Sequence, residues 1–135
     1  RKAVEIFGEP YFDGGVADAL PVQWAAGQEN IDKLMVIRTR PQNYVKASSK
    51  GDQLLAKYYT KQRYGFAQSL LTRTQRYNDS VQFLQTPSSQ KILEICPPDL
   101  KNMASRLSKN KAKIRYSYDV GLEIGHKAIE DWHQL

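Results

Sequence analysis

Leu34-Met35-Val36-Ile37, followed by Arg38-Thr39-Arg40-Pro41, is the stretch that decides the fold. An unbroken apolar run of this length, bounded by polar residues and a proline, predicts a strand buried on both faces, and such strands are usually parallel. A second run of the same kind, Ile92-Leu93-Glu94-Ile95-Cys96, is closed by Pro97-Pro98. Between them, Phe66, Leu70, Tyr77, Val81 and Leu84 recur at helical steps, tracing one face of a long helix that should stop before Pro87. Strand, helix and strand in that order predict an α/β protein with a partial, mostly parallel sheet flanked by helices. Buried parallel strands need helices over both faces and neighbours at both edges. The chain therefore reads as one side of a sheet whose other half lies elsewhere.

Working outward, residues 4–12 read as two short extended segments around a turn at Gly8-Glu9-Pro10. Pro21 suits the first turn of a short helix over residues 22–26, ending at Gly27. Residues 42–51 are polar and predict a loop. Asp99 is placed to cap a short helix running to about Ser108, and residues 110–113 read as a basic linker. A last helix is predicted to start near Ser117 or Asp119, with Tyr118, Leu122, Gly125, Ile129 and Trp132 as its inward stripe. Gly121 and Gly125 lie one turn apart in it, a costly choice unless a neighbouring backbone comes close. Three segments result: 1–41, 42–91 with the basic loop and long helix, and 92–135 with a strand and the C-terminal helices.

The chain has 135 residues and opens on Arg1-Lys2 rather than Met, so it reads as an interior fragment. No run of about 18 apolar residues occurs. The single cysteine, Cys96, cannot form an internal disulfide and reads as a buried structural thiol. The net charge of +6 is concentrated where Lys46, Lys50, Lys57, Lys61, Arg63, Arg73 and Arg76 face only Asp52. A solvated face is the plain account of such a run, and an anionic partner is the functional one.

The chemistry lies in Tyr11-Phe12-Asp13-Gly14-Gly15-Val16-Ala17-Asp18-Ala19-Leu20-Pro21-Val22. Asp followed by two glycines puts a carboxylate on a sharp turn, where glycine supplies positive φ and close approach to the backbone. A carboxylate beside a serine hydroxyl can take its proton as the serine attacks an acyl carbon, and burial makes it a better base. Asp-Gly alone is also a common turn dipeptide.

The longer pattern, Tyr-x-Asp-Gly-Gly-x-x-Asp-x-x-Pro-Val, then a short helix and an apolar strand ending in Arg38-Thr39-Arg40-Pro41, resembles the patatin-like phospholipases. It is most similar to the bacterial branch of small cytoplasmic members, and Arg76-Tyr77-Asn78, Ile92–Pro97, Ser105-Arg106-Leu107 and Tyr118-x-x-Gly121 extend the likeness. The resemblance implies the C-terminal part of a three-layer patatin-like domain, and a lipid acyl hydrolase with a Ser–Asp dyad and no cofactor. Asp13 matches the dyad carboxylate, and Gly14 and Gly15 match its glycines. The family's Gly-x-Ser-x-Gly nucleophile elbow and glycine-rich oxyanion loop are missing from this sequence, so the fragment alone is expected to be inactive. The implied partner is a lipid ester, and the implied location is cytoplasmic, peripheral to the membrane. Asp18 and Pro21 read as structural.

His126 and His133 read as surface residues of the last helix, and no cluster has ligand spacing for a metal. The basic Tyr-rich stretch Lys57-Tyr58-Tyr59-Thr60-Lys61-Gln62-Arg63-Tyr64 leaves a second reading open. Lys57, Lys61 and Arg63 could contact anionic lipid, in a non-catalytic module for acidic partners, with nucleic acid the least favoured of these. That reading predicts steeply salt-dependent binding, which the dyad reading does not require. Uncovered apolar strand faces also predict that the fragment self-associates.

Overall fold

A computed structural model of the chain describes residues 3–87 and 91–135. In chain order the elements are strands β1 (Val4–Ile6) and β2 (Glu9–Tyr11), a 3-10 turn (Gly14–Val16), helix α1 (Val22–Ala26) and strand β3 (Lys33–Ile37). Helices α2 (Lys50–Tyr59) and α3 (Tyr64–Gln85), strand β4 (Lys91–Ile95) and helix α4 (Lys111–Gln134) follow. The protein is mixed α/β, as expected, with one two-stranded antiparallel and one two-stranded parallel sheet among the described residues. It divides into two compact units, Arg1–Pro21 with Val45–Phe83 and Val22–Tyr44 with Leu84–Leu135. The three sequence segments cut across this division.

In the first unit β1 and β2 form a hairpin with Ile6 opposite Glu9. Its two-residue loop is Phe7-Gly8, both at positive φ (52° and 80°), the combination that matches the right-handed twist of paired strands. The turn therefore precedes the expected Gly8-Glu9-Pro10, and Pro10 lies within β2, opposite Glu5. A two-stranded ribbon tolerates this, because a proline that cannot donate can sit on an open edge. Helix α2 occupies what the sequence reads as loop and basic stretch. Ser49 caps it, its side chain accepting from the Asp52 N–H at 3.1 Å, with Asp52 in the first turn and Lys57 in the last. The core is small: Ala56, Ala67 and Leu70 are buried, with Val16, Tyr59 and Phe66 packed against them.

In the second unit β3 and β4 pair in parallel, Lys33 opposite Lys91 through Ile37 opposite Ile95. The ladder runs one step further through Arg38 N–H to the Ile95 carbonyl (2.8 Å). The parallel pairing matches expectation, but burial on both faces does not: Ile37 is 72% exposed, and Met35 is also exposed. Helix α1 lies along β3 and α4 along β4.

Helix α4 departs from expectation at its start and in its orientation. It begins at Lys111, capped by the Asn110 side chain accepting from Lys113 N–H at 3.1 Å, so the supposed basic linker is its first turn. Three members of the expected inward stripe point outward, Tyr118 60%, Leu122 49% and Ile129 58% exposed, while Gly125 and Trp132 are half-buried, Trp132 against Lys33. The less exposed row has Val120 and Ile124 half-buried and Ala128 buried, two residues out of phase with Tyr118 and Leu122 and so about 200° around a 3.6-residue helix. A Cβ on Gly121 or Gly125 would meet nothing within 4 Å, so no close backbone approach explains these glycines. The expected helix from Asp99 to Ser108 is absent; Asp99 instead accepts from Lys101 N–H at 2.7 Å in a local turn.

Candidate active site

The approach to Asp13 is fixed by aromatic packing. The Phe12 ring stacks on Phe66 of α3 at 4.1 Å between centroids and meets Tyr59 of α2 edge-on at 6.4 Å. Such pairs contribute about 0.5–1.5 kcal/mol beyond their buried area. The next residue, Asp13, caps the 3-10 turn. Its Oδ1 accepts from Gly15 N–H at 2.8 Å, and its carbonyl accepts from Val16 N–H at 2.9 Å. The aspartate is thus held by its own turn.

Two expectations about this turn are corrected. Neither Gly14 nor Gly15 has positive φ, because a 3-10 turn uses ordinary right-handed backbone. Gly15 instead makes room for the carboxylate: a Cβ there would stand 3.1 Å from Asp13 Oδ1, whereas one on Gly14 would meet nothing within 4 Å. Asp13 is also exposed rather than buried, because it lies at a cleft instead of beneath the core.

That cleft has a volume of about 490 Å³. Phe12, Val16 and Phe66 give it apolar walls, and Asp13, Gly14 and Arg63 line it as well. Arg63, singled out in sequence only as a surface cation, therefore shares a cleft with Asp13. Lys57 and Lys61 are exposed and do not line it. Asp18 accepts from Leu20 N–H at 3.0 Å and Pro21 directly precedes α1, in keeping with their structural reading.

Arg76, named in sequence only as one cation of the basic run and as part of the family likeness, has a role at this turn that the sequence does not announce. Its Nη2 donates to the Val16 carbonyl at 3.1 Å and to the Ser69 carbonyl at 2.8 Å, tying the far end of the Asp13 turn to α3. Other members of the basic run also turn inward. Arg73 lies 3.8 Å from Asp52. Asn78 brackets the Lys46 backbone, accepting from its N–H at 2.9 Å and donating to its carbonyl at 3.1 Å. Burial, with Arg73 adding to it and Asp52 opposing, lowers the Lys46 pKa below its ordinary value. The run is therefore not one solvated face: Lys57, Lys61 and Arg63 point to solvent, while Lys46, Arg73 and Arg76 serve the fold. Ser69, Arg73, Arg76 and Ser80 follow one row of α3 at steps of four, three and four. A polar row at helical spacing was the available signal.

In the second unit Arg38 is buried in an ion pair with Glu94 and donates to the Pro41 carbonyl at 3.2 Å. Cys96 is half-buried. Burial, aided by Glu94 and opposed by Arg38 and a backbone donor at Gln42, raises its pKa above the ordinary value. His126 and His133 are exposed on α4. No group of three His, Cys, Asp or Glu among the described residues could hold a metal ion. No helix of the described residues is long and apolar enough to cross a membrane.

The chain is similar to the uncharacterized protein YjjU of Escherichia coli K12, at 33% identity over 139 residues. The match covers 93% of this chain and 35% of that protein, so the chain spans about a third of its relative's length. No solved structure matches. Asp13 lies ahead of the region that a family model matches, while Arg76, β4 and α4 lie inside it. That region is residues 64–135, described as a domain of unknown function, DUF6363, and the chain belongs to this family.

Proposed function

We propose that the intact protein is a patatin-like serine acyl hydrolase acting on lipid esters, with Asp13 as general base and its serine nucleophile outside this chain. The chain would then be the C-terminal part of a three-layer patatin-like domain. The observation that most supports the reading is the setting of Asp13: a carboxylate fixed by its own capped turn, at a largely apolar cleft wide enough for an ester chain. In the first half-reaction the serine Oγ attacks the ester carbonyl and its proton passes to Asp13. Asp13 returns that proton to the departing alcohol, leaving an acyl-enzyme. In the second half a water gives its proton to Asp13 as it attacks the acyl group, and the serine regains a proton as the acid leaves.

Exposed Lys57, Lys61 and Arg63 suit a peripheral contact with anionic lipid beside that cleft. The direct test is ester hydrolysis by the intact protein on a chromogenic medium-chain ester, wild type beside Asp13→Asn. The amide keeps the turn acceptor but not the base, so turnover should fall by about 10⁴-fold with an unchanged circular dichroism spectrum. Activity of the variant within a few fold of wild type would remove Asp13 from the chemistry.

A further inference from the structure

The second unit has a cavity that the hydrolase reading does not use. It lies at the C-terminal ends of the parallel strands, the end of an α/β sheet where ligands ordinarily bind. It is a half-open chamber of about 340 Å³, lined by Ile37, Cys96, Met103, Val120 and Ile124 and by the exposed Gly121. Two of the chamber's polar neighbours, Arg38 and Ser117, are engaged within the unit. Arg38 is paired with Glu94, and Ser117 Oγ accepts from Ala104 N–H at 2.7 Å while donating to the Lys113 carbonyl at 2.8 Å. Apart from Thr39 and the Cys96 thiol, what remains is an apolar lining. An engineered apolar cavity of about 150 Å³ already holds benzene, so this one has room for a medium-length acyl chain.

A second hollow, of about 530 Å³, shares Thr39, Leu100, Met103 and Ala104 with the chamber as a common wall. Its own additions are Arg40, Ser105 and Arg106. Among the described residues neither arginine has an ion-pair partner; Arg40 lies over the Tyr44 ring at 5.0 Å. An apolar chamber thus adjoins a hollow bearing two unneutralised guanidinium groups, and guanidinium groups match carboxylate and phosphate oxygens.

We propose that this unit binds a single-tailed amphiphilic anion, its acyl chain in the chamber beside Gly121 and its anionic head at Arg40 and Arg106. Gly121 then has a role that a tight backbone contact does not give it. A side chain there would enter space the ligand's tail needs, since a Cβ meets nothing within 4 Å. The site is independent of Asp13, and binding requires no hydrolysis.

The test uses the full chain and three twelve-carbon probes below their micelle concentrations: laurate, lauroyl lysophosphatidate and dodecanol. Laurate or the lysophosphatidate should bind at one site, and whichever binds tighter identifies the head as carboxylate or phosphate. Dodecanol should bind at least about tenfold more weakly. Gly121→Leu should weaken every probe, and Arg40→Gln with Arg106→Gln should weaken only the anions. Because Gly121→Leu could disturb folding, a wild-type readout stands beside it: a bound tail should slow alkylation of Cys96, the one thiol in the chain. Dodecanol binding as tightly as the anions, or Cys96 alkylation unaffected by saturating ligand, would overturn the proposal.

Discussion

Replacing Arg76 with Met keeps most of the side chain's apolar stem and removes its guanidinium. The loss falls on two acceptors, the Val16 carbonyl at 3.1 Å and the Ser69 carbonyl at 2.8 Å. They are not equal. Ser69 lies inside α3, where its carbonyl keeps a helical partner four residues on, so it loses a supplementary bond. Val16 closes the 3-10 turn, and its carbonyl loses a charged donor in a half-buried setting. A hydrogen bond to a charged group contributes about 1.5–3 kcal/mol, so one full bond and part of another put the cost near 2–3 kcal/mol. Arg73→Met is the internal control. Its ion pair with Asp52 spans 3.8 Å, with the two side chains 31% and 23% exposed, and a pair of that kind contributes about 0–1 kcal/mol. Urea denaturation of the two variants should therefore separate them by about 1–3 kcal/mol, Arg76→Met being the less stable. Equal losses would mean that the Arg76 contacts to the Asp13 turn contribute no more than a surface ion pair.

The two glycines beside Asp13 should respond differently to alanine. Gly14→Ala, which meets open space at ordinary φ, should stabilise by about 0.4–1 kcal/mol through the unfolded chain. Gly15→Ala brings a methyl to 3.1 Å from the carboxylate and should cancel that gain by disturbing a cap that contributes about 1 kcal/mol. Gly14→Ala proving the more harmful of the two in urea denaturation would refute this account of the turn. Cys96 predicts a pH dependence. Its pKa is raised above 9.0, by burial first and Glu94 second, so the folded thiol keeps its proton where the unfolded one loses it. The folded state then binds more protons, and stability falls as pH rises from about 9 through the folded pKa. Relative to Cys96→Ala, the wild type should hold a constant stability difference below pH 9.0 and lose ground above it. A difference independent of pH up to 10.5 would contradict the assignment.

The elements legible in the sequence were those marked by continuous apolar runs or a long period. Strands β3 and β4 and helix α3 fall where those patterns lie, displaced by a residue or two. Helix α2 was not legible that way, because Leu54 and Leu55 face solvent and its buried residue is Ala56. Its start signal was present in Ser49 with Asp52 three residues on. Helix α4 shows what periodicity cannot supply. It has two apolar rows, one with Tyr118, Leu122 and Ile129 and one with Val120, Ile124 and Ala128, and a period alone does not say which faces the sheet. The bulkier row drew the prediction, and the smaller row lies against β4. At the candidate site the carboxylate on a turn was legible. The kind of turn was not, because Asp-Gly-Gly permits both positive-φ and 3-10 geometry. Arg76 was hidden within a charge run whose members do different things.

The exposure of Asp13 bears on how the proposed hydrolase would work. A base that shuttles a proton to and from an acyl-enzyme needs water held away from it, and this chain supplies the position without the cover. It contributes the capped turn, the stacked Phe12–Phe66 wall behind it and the Arg76 tie beneath it. On the proposed reading, the segment that brings the serine to Asp13 is also the surface that closes the cleft. Nucleophile and water exclusion would then arrive together, and neither half would be a competent catalyst alone. Asp13 in the isolated chain would stay an exposed, well-held carboxylate with no substrate chemistry of its own. This separates the site from the amphiphile cavity proposed for the second unit, whose walls and cations all belong to the present chain.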